Sequence, residues 1–233
     1  GCLVQLFFPN KQKTAKYAGN WDPNAKQPWS YRFQKSILAN TFLTRNMQVL
    51  VYGDWPSMSK NIKPFFTATY PKSKVAEASA REFGSVYTFL FVGSLSSGKR
   101  PLYAVQLVEA LIKRGFACRL DIYGEGAERK ALENYILEYE LSEFVTLHGN
   151  KSSDIVEKAY REGQFLILPS KSEGWPKVVA EAMFWGVIPI AAQVSCVPWM
   201  LDLGNRGFLL DMNLKEDSNM LVSSMKNYDF LEV

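Results

Sequence analysis

Two carboxylates, Glu173 and Glu181, stand with seven residues between them in the string Leu168-Pro-Ser-Lys-Ser-Glu173-Gly174-Trp175-Pro176-Lys177-Val-Val-Ala-Glu181-Ala-Met-Phe-Trp-Gly186. The pattern predicts a strand end, a short loop and a helix closed by glycine. Pro176 fits a first helical turn, where its missing N–H costs nothing. The free amides at such a helix start can hold a diphosphate, and Gly174 lets backbone come close to a ligand. Glu181 then lies about 7.5 Å further along the axis. That spacing suits a carboxylate on ribose hydroxyls while phosphates sit at the helix start, with Glu173 reaching a sugar. The plainer alternative is that Glu173 caps the helix and Glu181 faces solvent. Against it, the helix is otherwise apolar (Val178, Val179, Ala180, Ala182, Met183, Phe184), and an acid in such a stretch needs a reason.

A second loop with chemical capacity is Gly93-Ser94-Leu95-Ser96-Ser97-Gly98-Lys99-Arg100, after the apolar run Phe89-Leu-Phe-Val. Gly93, Gly98 and Lys99 fit the phosphate-cradling pattern of P-loop enzymes. Arg100, however, stands where that pattern needs a hydroxyl for magnesium, and Pro101 follows it. No later strand ends in an acid to hold the metal, since Phe165 to Leu168 runs into Pro169. A P-loop nucleoside triphosphatase is therefore the weaker reading. The same loop can bind phosphate by simpler means, through backbone amides exposed by small residues and the charge of Lys99. It can also be a tight turn with a solvated lysine. Gly124-Glu125-Gly126 resembles the start of a dinucleotide fingerprint, but Arg129 replaces the third glycine, so these glycines can equally let a strand turn into a helix.

The elements that must position these loops follow from periodicity. From Tyr87 onward, short apolar runs alternate with helix-period stretches. Strands are expected at Tyr87 to Val92, Cys118 to Tyr123, Phe144 to His148, Phe165 to Leu168, Val187 to Ile190 and Phe208 to Leu210. Helices are expected near 101–114, 127–139, 153–161, 176–185 and 215–227. This alternation predicts an α/β domain with a doubly wound parallel sheet over 87–233, whose ligands bind beyond the carboxyl ends of the strands. Residues 1–70 differ. One helix from Ser30 to Thr44 and two strands, Met47 to Tyr52 and Phe65 to Thr69, read as an incomplete segment of a second α/β domain. Residues 71–86 read as a polar linker.

Composition removes other classes. Cys2, Cys118 and Cys196 lie far apart, form no metal-ligand spacing and read as packing residues of a protein in a reducing compartment. His148 is the single histidine, which leaves little for a zinc site or a histidine-based nucleophile. The longest apolar runs are strand-length, far short of the roughly 20 residues that span a bilayer. Leu3 to Pro9 is too short for a signal peptide. Residues 1–88 carry 12 Lys plus Arg against 4 acids, leaving that part at +8 within a chain of +4. The lysines are scattered among Trp21, Trp29, Tyr31 and Phe33 without a dense block, so a solvated face and an anionic surface contact are both open, and nucleic acid is not expected.

Taken in order, Gly93 and Lys99, then Leu120, Ile122, Gly124 and Gly126, then Val145 and Gly149, then Pro169-Ser170, Glu173-Gly174, Val179, Glu181-Ala182-Met183 and Gly186 resemble glycosyltransferase family four. Those are retaining enzymes of the two-Rossmann GT-B architecture. The resemblance covers roughly Tyr87 to Leu210. It implies a metal-independent transfer of a sugar from a UDP- or GDP-linked donor to a hydroxyl on a glycan or lipid-linked acceptor, in surface polysaccharide or glycan synthesis. No other cofactor is implied. It places the protein in the cytoplasm, with a peripheral membrane contact allowed. By resemblance, Lys99 neutralises the diphosphate, Glu181 holds the ribose and Glu173 contacts the transferred sugar. Backbone amides of Trp175, Lys177 and Val178, with Gly93, Ser94, Gly124, Gly174 and Pro176, complete the donor site. Ser94 stands where the family usually carries arginine, with Arg100 and Lys177 as candidate replacements. Residues 20 to 70 are similar to the end of an acceptor-side domain, and the chain reads as truncated at both ends. The alternative implied is a nucleotide-binding module without transfer activity.

Overall fold

The computed structural model describes residues 3, 7–77 and 83–227. Cys2, residues 4–6 of the Leu3 to Pro9 run and residues 78–82 of the expected linker lie outside the described residues. The chain divides into two compact units, one of residues 1–67 with 173–175, the other of residues 68–172 with 176–233.

The second unit carries six parallel strands: β4 (Tyr87–Val92), β5 (Cys118–Tyr123), β6 (Val145–Gly149), β7 (Phe165–Leu168), β8 (Ile188–Ala192) and β9 (Phe208–Leu210). Their order in the sheet is β6-β5-β4-β7-β8-β9. The chain starts in the middle, winds outward one way, then returns past its start and winds the other way. The reversal falls between β4 and β7, and it is there that open parallel sheets bind ligands.

The helices are α2 (Pro101–Ile112), α3 (Arg129–Glu138), α4 (Ser153–Glu162), α5 (Lys177–Phe184), α6 (Val197–Met200) and α7 (Leu214–Asn227). Helix α2 packs on β4, β5, α3 and α7, while α4 packs on β4 and α5 on β7 and β8. Strand alternation explains the two layers, because neighbouring side chains leave a strand on opposite faces. Phe89, Phe91, Leu120, Ile122, Phe165 and Ile167 join one core with Ala104, Leu107, Leu111, Leu132 and Leu221. Leu90, between Phe89 and Phe91, is equally buried and lies where any side chain at Gly163, just past α4, would collide with it. Each such fully buried Leu, Ile or Phe is worth about 1.5–3 kcal/mol of transfer free energy. Gln164 locks the β4–β7 pair at its amino end, its side-chain oxygen accepting from Thr88 N at 2.8 Å while its own N–H donates to Thr88 O at 3.0 Å. Cys118 and Cys196 are buried, and burial pushes the Cys118 thiol up to about 12, as expected of packing residues.

The first unit is a parallel sheet ordered β1 (Lys13–Lys16), β2 (Met47–Tyr52), β3 (Ile62–Phe65), with helix α1 (Trp29–Ala39) between β1 and β2. Its core is Tyr17, Trp21, Leu38, Val49, Val51 and Ile62. Among the described residues no helix is long and apolar enough to cross a membrane.

Candidate functional site

In the second unit the two loops singled out by sequence leave the carboxyl ends of β4 and β7, the neighbouring strands at which the winding reverses. They touch directly: Lys171 N donates to Gly98 O at 2.8 Å. Lys99, half-buried, therefore belongs to a loop tied to the segment that leads into α5.

The β4–α2 loop is a compact turn. Lys99 N and Arg100 N both donate to Ser96 O, at 2.9 and 3.2 Å, and Ser96 N donates to Ser94 O. Gly93 N and Leu95 N donate to Tyr123 O and Glu125 O, each at 2.9 Å. Most of the row of amides that a P-loop would turn toward a phosphate is thus already engaged, which removes the physical basis of that reading. Arg100 takes a left-handed conformation (φ 50°, ψ 51°) immediately before Pro101, so α2 starts abruptly after the turn. Ser94 is exposed and its hydroxyl lies 3.4 Å from that of Ser96.

Gly124 has a local reason to be glycine. A Cβ there would sit 1.8 Å from Gly93 O, and one at Gly126 would sit 2.4 Å from Leu95 O. The β5–α3 turn is pressed against the β4–α2 loop, and Glu128 N reaches back to Leu95 O at 2.9 Å. These glycines shape the Lys99 loop whatever it binds.

Helix α5 begins at Lys177 after Pro176 and has no side-chain cap. The N–H groups of Lys177 and Val178 have no acceptor within the helix, whereas Val179 N turns back to Pro176 O at 3.0 Å. Glu181 is half-buried on the second turn and accepts a hydrogen bond from the Tyr160 hydroxyl at 3.3 Å through Oε2. Tyr160, at the end of α4, is fully buried. Burial, and then the Glu181 charge, push its hydroxyl well above the usual range, so it stays a proton donor to the carboxylate. The contact of Tyr160 with Glu181 is one that sequence reading missed. Only the fold brings α4 beside α5, and no spacing between residues 160 and 181 announces it. In the loop just past the end of β7, the Ser170 hydroxyl is buried without a hydrogen-bond partner among the described residues.

Glu173, Gly174 and Trp175 are grouped with the first unit. The Trp175 ring stacks on Tyr52 at 5.1 Å and 19°, and its Nε1 donates to Thr67 O at 3.1 Å. A Cβ on Gly174 would lie 2.8 Å from Ala18 O. Gly174 therefore owes its small size first to a backbone neighbour. The candidate residues consequently fall in two groups: Gly93, Ser94, Lys99, Gly124, Pro176, Lys177, Val178 and Glu181 on the second unit, and Glu173, Gly174 and Trp175 with the first. Among the described residues no three His, Cys, Asp or Glu side chains come together as metal ligands would.

Known proteins resemble this chain in sequence and in fold. A model of the family "Glycosyl transferases group 1" matches residues 74–227. Alpha-D-kanosaminyltransferase of Streptomyces kanamyceticus is 28% identical over 121 residues, covering 52% of this chain and 31% of that protein. An uncharacterized glycosyltransferase of Haemophilus influenzae is 31% identical over 150 residues, 63% of this chain and 40% of the relative. This chain thus spans 31–40% of the length of these curated relatives. The Anabaena HepE structure in complex with UDP superposes with a TM-score of 0.74 at 15% identity, over 99% of this chain and 68% of the other, a likeness of fold. Since the family match runs from before β4 to the end of α7 and takes in both loops at the switch point, the chain belongs to the glycosyl transferases group 1, on a GT-B fold.

Proposed function

We propose that the second unit binds the nucleoside diphosphate of a sugar donor and that the protein transfers the sugar to a hydroxyl acceptor. The observation that carries this reading is the pairing of two anion-binding features at one switch point, the Lys99 loop after β4 and the uncapped start of α5 after β7. Lys99 and the amides of Lys177 and Val178 offset the charge of the diphosphate. Glu181, held by Tyr160, accepts from the ribose hydroxyls, and Glu173 contacts the sugar. The barrier falls chiefly because negative charge growing on the leaving diphosphate meets fixed donors that need no reorganisation.

The UDP bound by the Anabaena protein supports uracil as the base, and the alpha-linked sugar named for the Streptomyces relative supports transfer with retention of the anomeric configuration. We propose further that no metal takes part, the diphosphate being neutralised by Lys99 and the helix start. A glycan or lipid-linked acceptor in surface polysaccharide synthesis accords with the family. A donor-binding module without transfer would share the binding step and lack turnover.

Calorimetric titration of the chain with UDP, GDP and their sugar conjugates in the presence of a chelator tests the reading. Binding of one diphosphate that Glu181→Ala weakens by more than about tenfold, about 1.4 kcal/mol, is expected. Failure of every nucleotide to bind the folded chain overturns it, and binding that appears only with added magnesium overturns the metal-free part.

A further inference from the structure

Strand β7 is apolar and buried along its whole length, and the residues that follow it, Pro169 and Ser170, are buried as well. Ser170 is 0% exposed, and its hydroxyl has no hydrogen-bond partner among the described residues. Other buried hydroxyls of the chain bond back to nearby backbone. That of Thr44, a residue 2% exposed, donates to Asn40 O at 2.7 Å, and that of Ser218, 1% exposed, donates to Lys215 O at 3.0 Å. A buried hydroxyl without a partner leaves its desolvation uncompensated. By stability alone, alanine is the better residue at position 170.

The surroundings of this hydroxyl supply the reason for keeping it. The carbonyl carbon of Ser170 is bonded to Lys171 N, which donates to Gly98 O, and the carbonyl carbon of Gly98 is bonded to Lys99 N. A single backbone hydrogen bond thus separates Ser170 from Lys99, the full positive charge of the proposed donor site. In the other direction the loop leads from Ser170 to the uncapped start of α5 at Lys177. Ser170, Lys99, Lys177 and Val178 all belong to the second unit, at the carboxyl ends of the paired strands β4 and β7. Buried polar groups that the protein itself leaves unpaired call for a ligand or water partner. Between two anion-binding features the fitting partner is an ionised oxygen, since a hydroxyl supplies one donor and a bond to a charged acceptor is about twice as strong as a neutral one.

We infer that the Ser170 hydroxyl is a phosphate-binding group of the donor site, covered in the free chain and donating to an oxygen of the nucleoside diphosphate once it is bound; the inference rests on the donor reading above. Rotation of the side chain, with a shift of the loop at the joint between Lys171 and Gly98, uncovers the hydroxyl. Because the group is unpaired in the free chain and paired in the complex, it favours the bound state over the free one.

The test measures stability and affinity on the same proteins. The parent chain, Ser170→Ala and Ser170→Cys are each unfolded in urea without nucleotide, and each is titrated calorimetrically with UDP and, at millimolar concentration, with uridine. Cysteine fills the space but is a weak donor, so it separates loss of the hydroxyl from loss of volume. The expected result is a urea midpoint for Ser170→Ala at or above that of the parent, UDP binding weakened about tenfold in both variants, and uridine binding unchanged. The opposite sign of the two effects is the signature, because a hydroxyl that serves the packing or holds a buried water lowers the midpoint when it is removed. A lower midpoint for Ser170→Ala, parental UDP affinity in either variant, or an equal loss of uridine affinity overturns the inference. Where any of these is found while Glu181→Ala still weakens UDP, the donor reading stands without Ser170. A folded parent that binds no UDP overturns both.

Discussion

On Glu181 a structural contact meets the proposed contact to the donor's ribose. An acid in an otherwise apolar helix is anomalous by composition, and the structure supplies half of its explanation in the buried Tyr160 hydroxyl. One carboxylate oxygen holds the tyrosine, and the other keeps its capacity for a ligand. Tyr160→Phe is therefore expected to cost about 1 kcal/mol of stability and to weaken UDP binding by about three- to tenfold, because the carboxylate loses its orientation and keeps its charge. Denaturation and calorimetry on the same variant check both, and unchanged affinity would show that Tyr160 serves packing alone. Gly124 makes the opposite case. A methyl group there meets the Gly93 carbonyl at 1.8 Å, so Gly124→Ala should destabilise the second unit by about 3 kcal/mol or more. Guanidinium unfolding reads this directly, and a near-neutral change would mean that the two loops yield without cost.

At the level of elements, periodicity located what local sequence controls. Strands β4, β5, β7 and β9 appear with the expected bounds: β4 and β7 are largely apolar runs stopped by Gly93 and Pro169, β5 alternates apolar and polar residues up to Gly124, and β9 is the apolar run Phe208-Leu-Leu before Asp211. Where sequence reading failed, the cause lies in side chains or in pairing. Strand β1 was not anticipated, since Lys13-Thr-Ala-Lys16 is short and polar and is held by its ladder to β2. Helix α1 stops at Ala39, five residues before the expected Thr44, because Asn40 Oδ1 accepts from Phe42 N and Leu43 N, each at 3.0 Å, and bends the chain away. Strand β3 lies at Ile62–Phe65, earlier than the expected Phe65 to Thr69. Pro64 lies inside β3, which is an edge of the sheet, where a missing donor is tolerated. The site divided the same way: its loops were legible, but the Tyr160 contact and the backbone neighbours of Gly124 and Gly174 depend on chain segments far apart in sequence. One such link carries a pH signature. The short 3-10 segment Lys72–Glu77 is tied to α4 by Lys74 and Glu157, 2.7 Å apart, with Arg161 also 2.8 Å from Glu157. Those two cations hold the Glu157 carboxyl below the usual carboxylate range. A carboxylate with a lowered folded pKa stabilises above its unfolded pKa, about 4.3, and loses that contribution as pH falls through the folded value. The urea midpoint should therefore fall more between pH 6 and pH 3 in the parent than in Glu157→Gln, and equal falls would refute the link.

Across the whole molecule the two units differ in what holds them. The second surrounds six strands with helices on both faces, whereas the first rests on three strands and a core of Tyr17, Trp21, Leu38, Val49, Val51 and Ile62. Small cores bury a smaller fraction of their chain and are correspondingly marginal. Trp21, Trp29, Trp55 and Trp175 belong to the first unit and only Trp185 and Trp199 to the second, while helices α2 to α7 belong to the second. Tryptophan fluorescence and far-UV circular dichroism therefore report mainly on different units. On guanidinium titration the fluorescence midpoint is expected at lower denaturant than the dichroism midpoint, a departure from two-state behaviour. Lys99, Lys177, Val178 and Glu181 all lie in the second unit, so UDP without its sugar should stabilise that unit, by about 2.7 kcal/mol at a hundredfold excess over its dissociation constant. The nucleotide should then raise the dichroism midpoint and leave the fluorescence midpoint in place. Equal shifts of both would mean that the units unfold as one or that the first contributes to nucleotide binding, and a shift of fluorescence alone would place the nucleotide on the wrong unit.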